Sequence, residues 1–286
     1  MNHSKIVVSL VFLIVILAAV ASLTGIITNE ERGLKEITSV HGEVIELHGR
    51  GIYHNMSADV AVQGIGQDYV TFFMAIPLLI FGLFKALKGS LRWRLFLAGV
   101  LGYFFVNYWF YTAMGMYNEL FLIYVSLMGL TFFGLSTVLF GVDLSTITGK
   151  FSAKTPFKLS GIFLIVNASM ITLLWLQVVV PPLLDGTIIP KEVQHYTTLI
   201  VQGFDLGLLL PLSFVTAVLF LKRKPLGFLL APVYLVFLSL LMTALLAKLI
   251  AMSLAGVPGG PSLIIIPSIM LISYFCAYKT LREVKQ

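Results

Sequence analysis

The chain has 286 residues and a formal net charge of +6, yet only 11% of its residues are charged and 58% are hydrophobic. A soluble domain is about 45–50% apolar and about 25% charged, so this composition excludes an ordinary soluble globule. Its hydrophobicity excludes intrinsic disorder. The single cysteine, Cys276, excludes an internal disulfide framework, a four-cysteine zinc site and an iron–sulfur cluster. The composition therefore predicts a multi-pass membrane protein.

The apolar runs predict an all-α polytopic helix bundle that forms a single transmembrane domain over residues 1–286. A helix needs roughly 20 predominantly apolar residues to cross a bilayer, and eight runs meet that length. The short connections favour antiparallel neighbours. The predicted spans are 6–28, 62–84, 95–115, 118–141, 159–181, 198–221, 226–250 and 262–280. The only substantial polar stretch is an external segment at 29–60, between the first two spans.

Most of the lysines and arginines lie on one side of these spans. Four lie on the other side, namely Arg32, Lys35, Arg50 and Lys191. Because short cytoplasmic loops retain Lys and Arg, both termini are predicted to be cytoplasmic in a plasma-membrane protein. The basic clusters lie at span ends and face lipid headgroups, so the lipid bilayer is the expected partner and nucleic acid is not. The 14 residues of the basic side are Lys5, Lys85, Lys88, Arg92, Arg94, Lys150, Lys154, Lys158, Lys222, Arg223, Lys224, Lys279, Arg282 and Lys285.

The first span has two interpretations. The stretch from Met1 to Lys5 is short and basic, and the Ala-Val-Ala sequence at 19–21 resembles a signal-peptide cleavage site. The apolar run continues through Ile27, however, which is long enough to cross a bilayer and favours an uncleaved helix. Cleavage would leave seven spans without changing the orientation of the rest.

The external segment contains a short β-branched stretch bounded by glycines, which predicts a small β-hairpin. On a strand, His41 and Glu43 would share one face while Glu46 and His48 would share the other. No spacing here matches a zinc pattern, so a solvated loop is the favoured interpretation, and neither a metal nor a cofactor is expected. The weak metal-ligand candidates are His41, Glu43, Glu46, His48 and His54.

Two acids, Asp68 and Asp205, lie inside predicted spans, where ionisable residues are costly and usually functional. Each lies 17 residues before a lysine of the basic side, Lys85 or Lys222, so both are expected at a similar depth. Each also follows a Val-Gln-Gly triplet in a span that runs inward from the outer side. This correspondence suggests two four-helix halves related by a parallel repeat.

The two acids have alternative roles. They could face one another across an outward-opening cavity and bind a cation or share a proton, with glutamines supplying neutral hydrogen bonds. Alternatively, each carboxylate caps the first turn of its own helix, since both helices begin on the outer side. The candidate binding residues of the first hypothesis are Asp68, Asp205, Gln63, Gln67, Gln202, Asn107, Tyr108 and Tyr111.

The third span is the most aromatic part of the chain. Asn107, Tyr108 and Tyr111 share a helix face there and could line a pocket beside Asp68. An interfacial aromatic belt explains the same residues without a ligand. Lys248, near the outer end of the seventh span, could either reach the interface or pair with one of the acids.

The sequence contains no nucleotide-binding, zinc-protease or serine-hydrolase motif, so no catalytic site is predicted. A set of short motifs lies between residues 51 and 121: Gly51-Ile52-Tyr53, Gln67-Asp68, Pro77-Leu78-Leu79, Gly89-Ser90-Leu91-Arg92 and Tyr117-Asn118-Glu119-Leu120-Phe121. In these motifs the chain resembles prokaryotic multi-pass membrane proteins of uncharacterised function, and the resemblance implies no activity. Two function classes follow from the sequence. One is a small-molecule or ion transporter with an outward-opening polar pocket, and the other is a non-transporting sensor or scaffold that uses the segment 29–60.

Overall fold

A computed structural model describes residues 4–257 and 260–285. Met1, Asn2 and His3, on which the signal-peptide interpretation of the first span partly depends, lie outside the described residues. The chain is 75% helical and nearly all-α, which confirms the all-α part of the predicted fold class.

Eight helices are long and apolar enough to cross a membrane, as the hydrophobic runs predict. Their ends differ from the predicted ones by a few residues, because apolar runs fix the middle of a helix while caps and turns fix its ends. The helices are α1 (Ser4–Ile27), α2 (Ala58–Leu87), α3 (Leu91–Ala113), α4 (Phe121–Phe140), α5 (Phe157–Asp185), α6 (Ile200–Leu221), α7 (Pro225–Leu254) and α8 (Ser262–Arg282).

Helices α2 and α6 each contain a π-helical turn. These turns are Thr71–Ala75 and Asp205–Leu209, and a proline follows each one, Pro77 in α2 and Pro211 in α6. Proline has no N–H, and its ring clashes with the carbonyl four residues earlier, so a wider turn accommodates it. Both helices are therefore locally irregular in their middle, a feature that is frequent at functional sites.

Helices α3 and α7 are the most buried of the eight and pack against each other at the centre of the bundle. Among the first four helices, α1 and α3 each pack against both α2 and α4. Among the last four, α6 packs against α5 and α7, and α8 packs against α7 and α5. The order of neighbours is therefore the same in α1–α4 and α5–α8. In addition, α2 packs against α7.

Gly99 allows the backbones of α3 and α7 to pack closely against each other. A β-carbon at this position would lie 2.5 Å from Val236 Cβ and 2.7 Å from the Val233 carbonyl oxygen. We expect Gly99→Ala to lower the free energy of unfolding by about 1–3 kcal/mol, because overpacking forces the two backbones apart. Gly129→Ala on α4 is the control, since a β-carbon there meets nothing within 4 Å. Thermal unfolding in detergent compares the variants, and equal midpoints would contradict this close packing.

One end of the bundle, here called the basic end, gathers the clusters of lysine and arginine. Arg92 Nη2 donates to the carbonyl oxygens of Arg282 and Val284, both at 2.8 Å. The backbone N–H of Lys285 donates to the Lys150 carbonyl at 2.7 Å. Loops that are distant in sequence therefore meet the C-terminal residues at this end.

The opposite end, here called the hairpin end, carries a two-stranded antiparallel sheet, which confirms the predicted hairpin. Strand β1 (Glu36–Thr38) pairs with β2 (Val44–Glu46), and Ile37 lies opposite Ile45. The backbone N–H of Ser39 donates to the Glu43 carbonyl at 2.8 Å and closes the turn. The hairpin belongs to a segment, residues 28–57, that lies across this end of the bundle.

Several contacts hold this segment to neighbouring loops at the hairpin end. The Arg32 guanidinium forms an ion pair with Glu119 in the turn between α3 and α4. The Asn55 carbonyl lies 3.0 Å from His195 Nε2 in the loop between α5 and α6. The Lys191 ammonium lies 3.4 Å from Glu43. The segment is therefore a cap on the bundle rather than a separate module.

Candidate functional site

The structure does not gather the metal-ligand candidates of the external segment. No group of three or more His, Cys, Asp or Glu side chains could hold a metal ion within the residues that the structure describes. Glu43 faces Lys191, and His54 Nδ1 lies 2.9 Å from the Gly51 carbonyl oxygen. The five candidates, His41, Glu43, Glu46, His48 and His54, are spread along the hairpin and the turn that follows it.

Asp68 is buried inside α2 and accepts two hydrogen bonds. The Tyr53 hydroxyl donates to Oδ2 at 2.6 Å, and the Tyr111 hydroxyl donates to Oδ1 at 3.0 Å. Because α2 begins at Ala58, Asp68 lies well beyond the first turn, and the capping alternative is wrong for this residue. A carboxylate in an apolar interior requires such donors, since burying an unpaired charge is very costly.

Tyr53 reaches Asp68 from the segment 28–57 and not from one of the eight long helices. It ends a 3-10 turn, Gly51–Tyr53, and only 2% of its surface is exposed. The backbone N–H of Ile52 donates to Thr28 Oγ1 at 3.1 Å, which holds this turn over the end of α1. Burial, and then the nearby Asp68 carboxylate, raise the pKa of Tyr53 well above its usual value. The Tyr53 hydroxyl therefore stays protonated and remains a donor.

Gly25 on α1 makes room for the Asp68 carboxylate. A β-carbon at Gly25 would overlap Asp68 Oδ2 and would lie 2.9 Å from the Tyr53 hydroxyl oxygen. Any larger residue would therefore displace the carboxylate or its donor. Three separate segments, namely α1, the external segment and α2, thus define the position of Asp68.

Four tyrosines surround Asp68 and are called here the tyrosine cluster: Tyr53, Tyr108, Tyr111 and Tyr124. The ring centroids of Tyr108 and Tyr111 lie 5.9 Å apart, and those of Tyr111 and Tyr124 lie 5.1 Å apart. The hydroxyls of Tyr108 and Tyr124 are buried, and neither has a hydrogen-bond partner among the described residues. Buried hydroxyls normally bind protein groups or water, so this pair can accept a ligand or ordered water. Tyr108 is 2% exposed, so the aromatic-belt interpretation is wrong for it.

Gln67 belongs to a second hydrogen-bonded group on the same helix. Its Nε2 donates to the Tyr103 hydroxyl at 2.7 Å, and Thr71 Oγ1 lies 3.0 Å from that hydroxyl. Gln63 Nε2 instead donates to the Asp59 carbonyl within its own helix, at 3.2 Å. Of the two glutamines in α2, Gln67 is therefore the one that links α2 to α3.

Asp205 begins the π-helical turn of α6, and its carboxylate accepts a hydrogen bond from Trp175 Nε1 at 2.8 Å. Because α6 begins at Ile200, the first-turn capping alternative is wrong here too. Gln202 is half-buried in the turn before Asp205, while Asn107 on α3 is buried with Nδ2 unpartnered among the described residues. No hydrogen bond of the described residues joins Asp205 to Asp68, so each acid has its own donors.

Lys248 on α7 is the third charged residue in this part of the structure, and α7 packs against α2. A β-carbon at Gly66 would lie 3.2 Å from Lys248 Cα, so α2 and α7 meet closely at this level. Among the described residues the Lys248 ammonium forms no ion pair within 4 Å with either acid, but Lys248 lies where α7 packs against α2, two residues along α2 from Asp68. Asp68, Lys248 and Asp205 are called here the charge centre. When all three are ionised, two carboxylates and one ammonium leave one negative charge in excess.

Removing the Tyr53 hydroxyl should destabilise the protein. We expect Tyr53→Phe to lower the free energy of unfolding by about 2 kcal/mol, because a hydrogen bond to a charged group contributes about 1.5–3 kcal/mol. Tyr69→Phe is the control, since Tyr69 lies on the same helix as Asp68 and is 48% exposed. Chemical unfolding in detergent measures both variants. Equal losses would show that Tyr53 does not donate to a buried carboxylate.

One of the two sequence hypotheses put Tyr108 and Tyr111 beside Asp68, and in the structure Tyr111 donates to Asp68 while its ring lies 5.9 Å from that of Tyr108. Sequence reasoning missed the roles of Tyr53 and Gly25. Both come from segments that only the three-dimensional fold brings to Asp68. The sequence offered one signal for Tyr53: it belongs to the motif Gly51-Ile52-Tyr53, which lies in an otherwise polar segment.

No protein-family model, no curated protein and no solved structure matches the chain. The chemistry of the charge centre and of the tyrosine cluster is therefore the basis for a functional assignment.

Proposed function

We propose that the chain is an integral protein of the plasma membrane, with its basic end and both termini in the cytoplasm. Eight apolar helices and the asymmetric distribution of Lys and Arg support this orientation. The two halves, α1–α4 and α5–α8, form a parallel repeat. Their shared order of neighbours supports the repeat, as does the π-helical turn followed by proline in the second helix of each half.

The protein transports a small molecule or ion, and the charge centre is the observation that carries this proposal. Away from the helix ends, Asp68, Lys248 and Asp205 are the charged residues of the eight helices. Ionisable residues at such depth are costly and typically mark substrate, ion or proton pathways. The excess negative charge acts strongly in a low-dielectric interior and favours a monovalent cation or a proton.

The described conformation is closed at the hairpin end. Tyr53 covers Asp68, and the Arg32–Glu119 ion pair ties the covering segment to the turn between α3 and α4. A hydrogen bond from its own backbone N–H, and then Arg32, lower the pKa of Glu119, so this ion pair persists in a mildly acidic medium. The outward-opening pocket forms when this segment withdraws. The π-helical turns beside the acids are the places where α2 and α6 can bend.

Flux measurements on reconstituted protein test the proposal. Proteoliposomes that contain a pH-sensitive dye receive gradients of protons, Na⁺, K⁺, methylammonium or choline, with protein-free vesicles as the control. We expect saturable flux with at least one of these probes. If none of them moves faster than through protein-free vesicles, cation or proton transport is contradicted and the sensor or scaffold alternative is favoured.

One observation favours that alternative, a membrane sensor or scaffold that uses the external segment. Leu34, Val40 and Val44 are 68%, 70% and 65% exposed on and around the hairpin. Exposed apolar residues that lie close together can mark a protein interaction site. Replacing the three with serine should leave cation flux unchanged under the transport hypothesis, and should abolish partner binding under the alternative.

A further inference from the structure

A cavity of about 510 Å³ lies near the basic end, between α2, α3, α7 and α8. Ligand sites typically occupy about 300–1,000 Å³ and are mainly apolar with a few polar groups. Apolar and aromatic side chains dominate its lining, among them Leu78, Phe96, Leu240 and Tyr274. Its size and lining suit a hydrocarbon chain. None of the three residues of the charge centre lines this cavity.

Two arginines, Arg92 and Arg282, are also among the residues that line the cavity. Arg92 Nη2 donates to two backbone carbonyls, while Arg92 Nε is buried and has no hydrogen-bond partner among the described residues. Along α8, Arg282 lies eight residues beyond Tyr274, which corresponds to about 12 Å of helical rise. The cavity is therefore amphipathic, with positive charge at one end and apolar surface at the other.

The cavity reaches the side of the bundle as well as its end. Tyr278, a lining residue, is 60% exposed. In a membrane this side faces acyl chains, while Arg282 lies at the level of the headgroups, in the last turn of α8. A molecule with a charged head and an apolar tail could therefore enter laterally from the bilayer.

We propose that this cavity binds one anionic phospholipid, with its phosphate on Arg92 and Arg282 and an acyl chain between Phe96, Leu240 and Tyr274. Arginine binds phosphate through paired charge-assisted hydrogen bonds, which a zwitterionic headgroup engages less well. Basic pockets between helices on the cytoplasmic side are suited to such lipids. The two arginines repel a cation, so this site is distinct from the charge centre.

Native mass spectrometry of the purified full chain tests this site. The protein is titrated with dioleoyl phosphatidylglycerol or dioleoyl phosphatidylcholine. We expect the first phosphatidylglycerol molecule to bind about tenfold more tightly, which corresponds to roughly one charge-assisted hydrogen bond. Arg282→Gln should remove this preference. Lys88→Gln, which removes an exposed charge at the same end, should keep it.

Two further measurements distinguish a lipid from a free anion. Ala277→Leu keeps both arginines but fills the cavity, so it should weaken binding of both lipids. Inorganic phosphate and glycerol 3-phosphate should bind far more weakly than phosphatidylglycerol. The proposal is overturned by equal affinity for the two lipids, by equal effects of Arg282→Gln and Lys88→Gln, by an inert Ala277→Leu, or by tight binding of phosphate alone.

Discussion

Asp68→Asn is expected to reduce cation or proton flux in proteoliposomes by at least about a hundredfold. The carboxylate and a bound cation form a charge pair, and losing one partner of such a pair at a binding site costs about 3 kcal/mol of binding free energy, which corresponds to about a hundredfold. The amide has nearly the shape of the carboxylate, so its oxygen can still accept from one of the two hydroxyls, Tyr53 or Tyr111, while its NH2 group can donate to the oxygen of the other. The substitution therefore removes the negative charge while it keeps the local packing.

Asp59→Asn is the matched control for this experiment. Asp59 lies on the same helix, in its first turn, and takes no part in the charge centre. Its replacement should leave the flux within about twofold of the unmodified protein, as is usual for substitutions outside a site. Retained flux in Asp68→Asn, or equal losses in both variants, would remove Asp68 from the transport pathway.

Lys248→Met should lower the free energy of unfolding by about 3–5 kcal/mol, because it leaves two buried carboxylates without their shared positive charge. Methionine keeps most of the length and apolar surface of the lysine stem. Adding Asp68→Asn or Asp205→Asn to Lys248→Met should recover part of the lost stability, since each removes one of the uncompensated charges.

The test is a double-mutant cycle for each acid, followed by unfolding in detergent. If the charges are coupled, the loss in free energy of unfolding of each double variant is smaller than the sum of the losses of its two single variants. Lys279→Met, at the basic end of α8, serves as the control for the loss of a lysine. Strict additivity for both acids would show that Lys248 does not connect Asp68 with Asp205.

The helices were predictable because a lipid environment permits few backbone structures. Backbone groups without water must bond to one another, so long apolar runs form helices, and charged residues fall at their ends. The π-helical turns beside Pro77 and Pro211 were not predicted. Proline indicates a local irregularity, but the neighbouring helices decide whether it becomes a kink or a wider turn.

The site was only partly predictable, because it depends on contacts between distant segments. Helical spacing placed Tyr108 and Tyr111 on one face of α3, and the cost of burying an acid singled out Asp68. Neither rule could bring Tyr53 to the carboxylate, since its position depends on the fold of an irregular segment. The role of Gly25 could not be predicted either, because this glycine leaves space for a side chain on another helix.

If the protein is a transporter, the Asp68 site must open in turn to each side of the membrane, and cysteine labelling from the two sides tests this requirement most directly. Cys276 is the only natural cysteine, so Tyr108→Cys in a Cys276→Ser background introduces a single thiol beside Asp68. The Tyr108 hydroxyl makes no hydrogen bond in the described part of the chain, so both donors to the carboxylate remain. We predict that a membrane-impermeant thiol reagent labels this cysteine in right-side-out and in inside-out vesicles. Labelling in only one orientation, or in neither, would contradict a site that opens in turn to both sides.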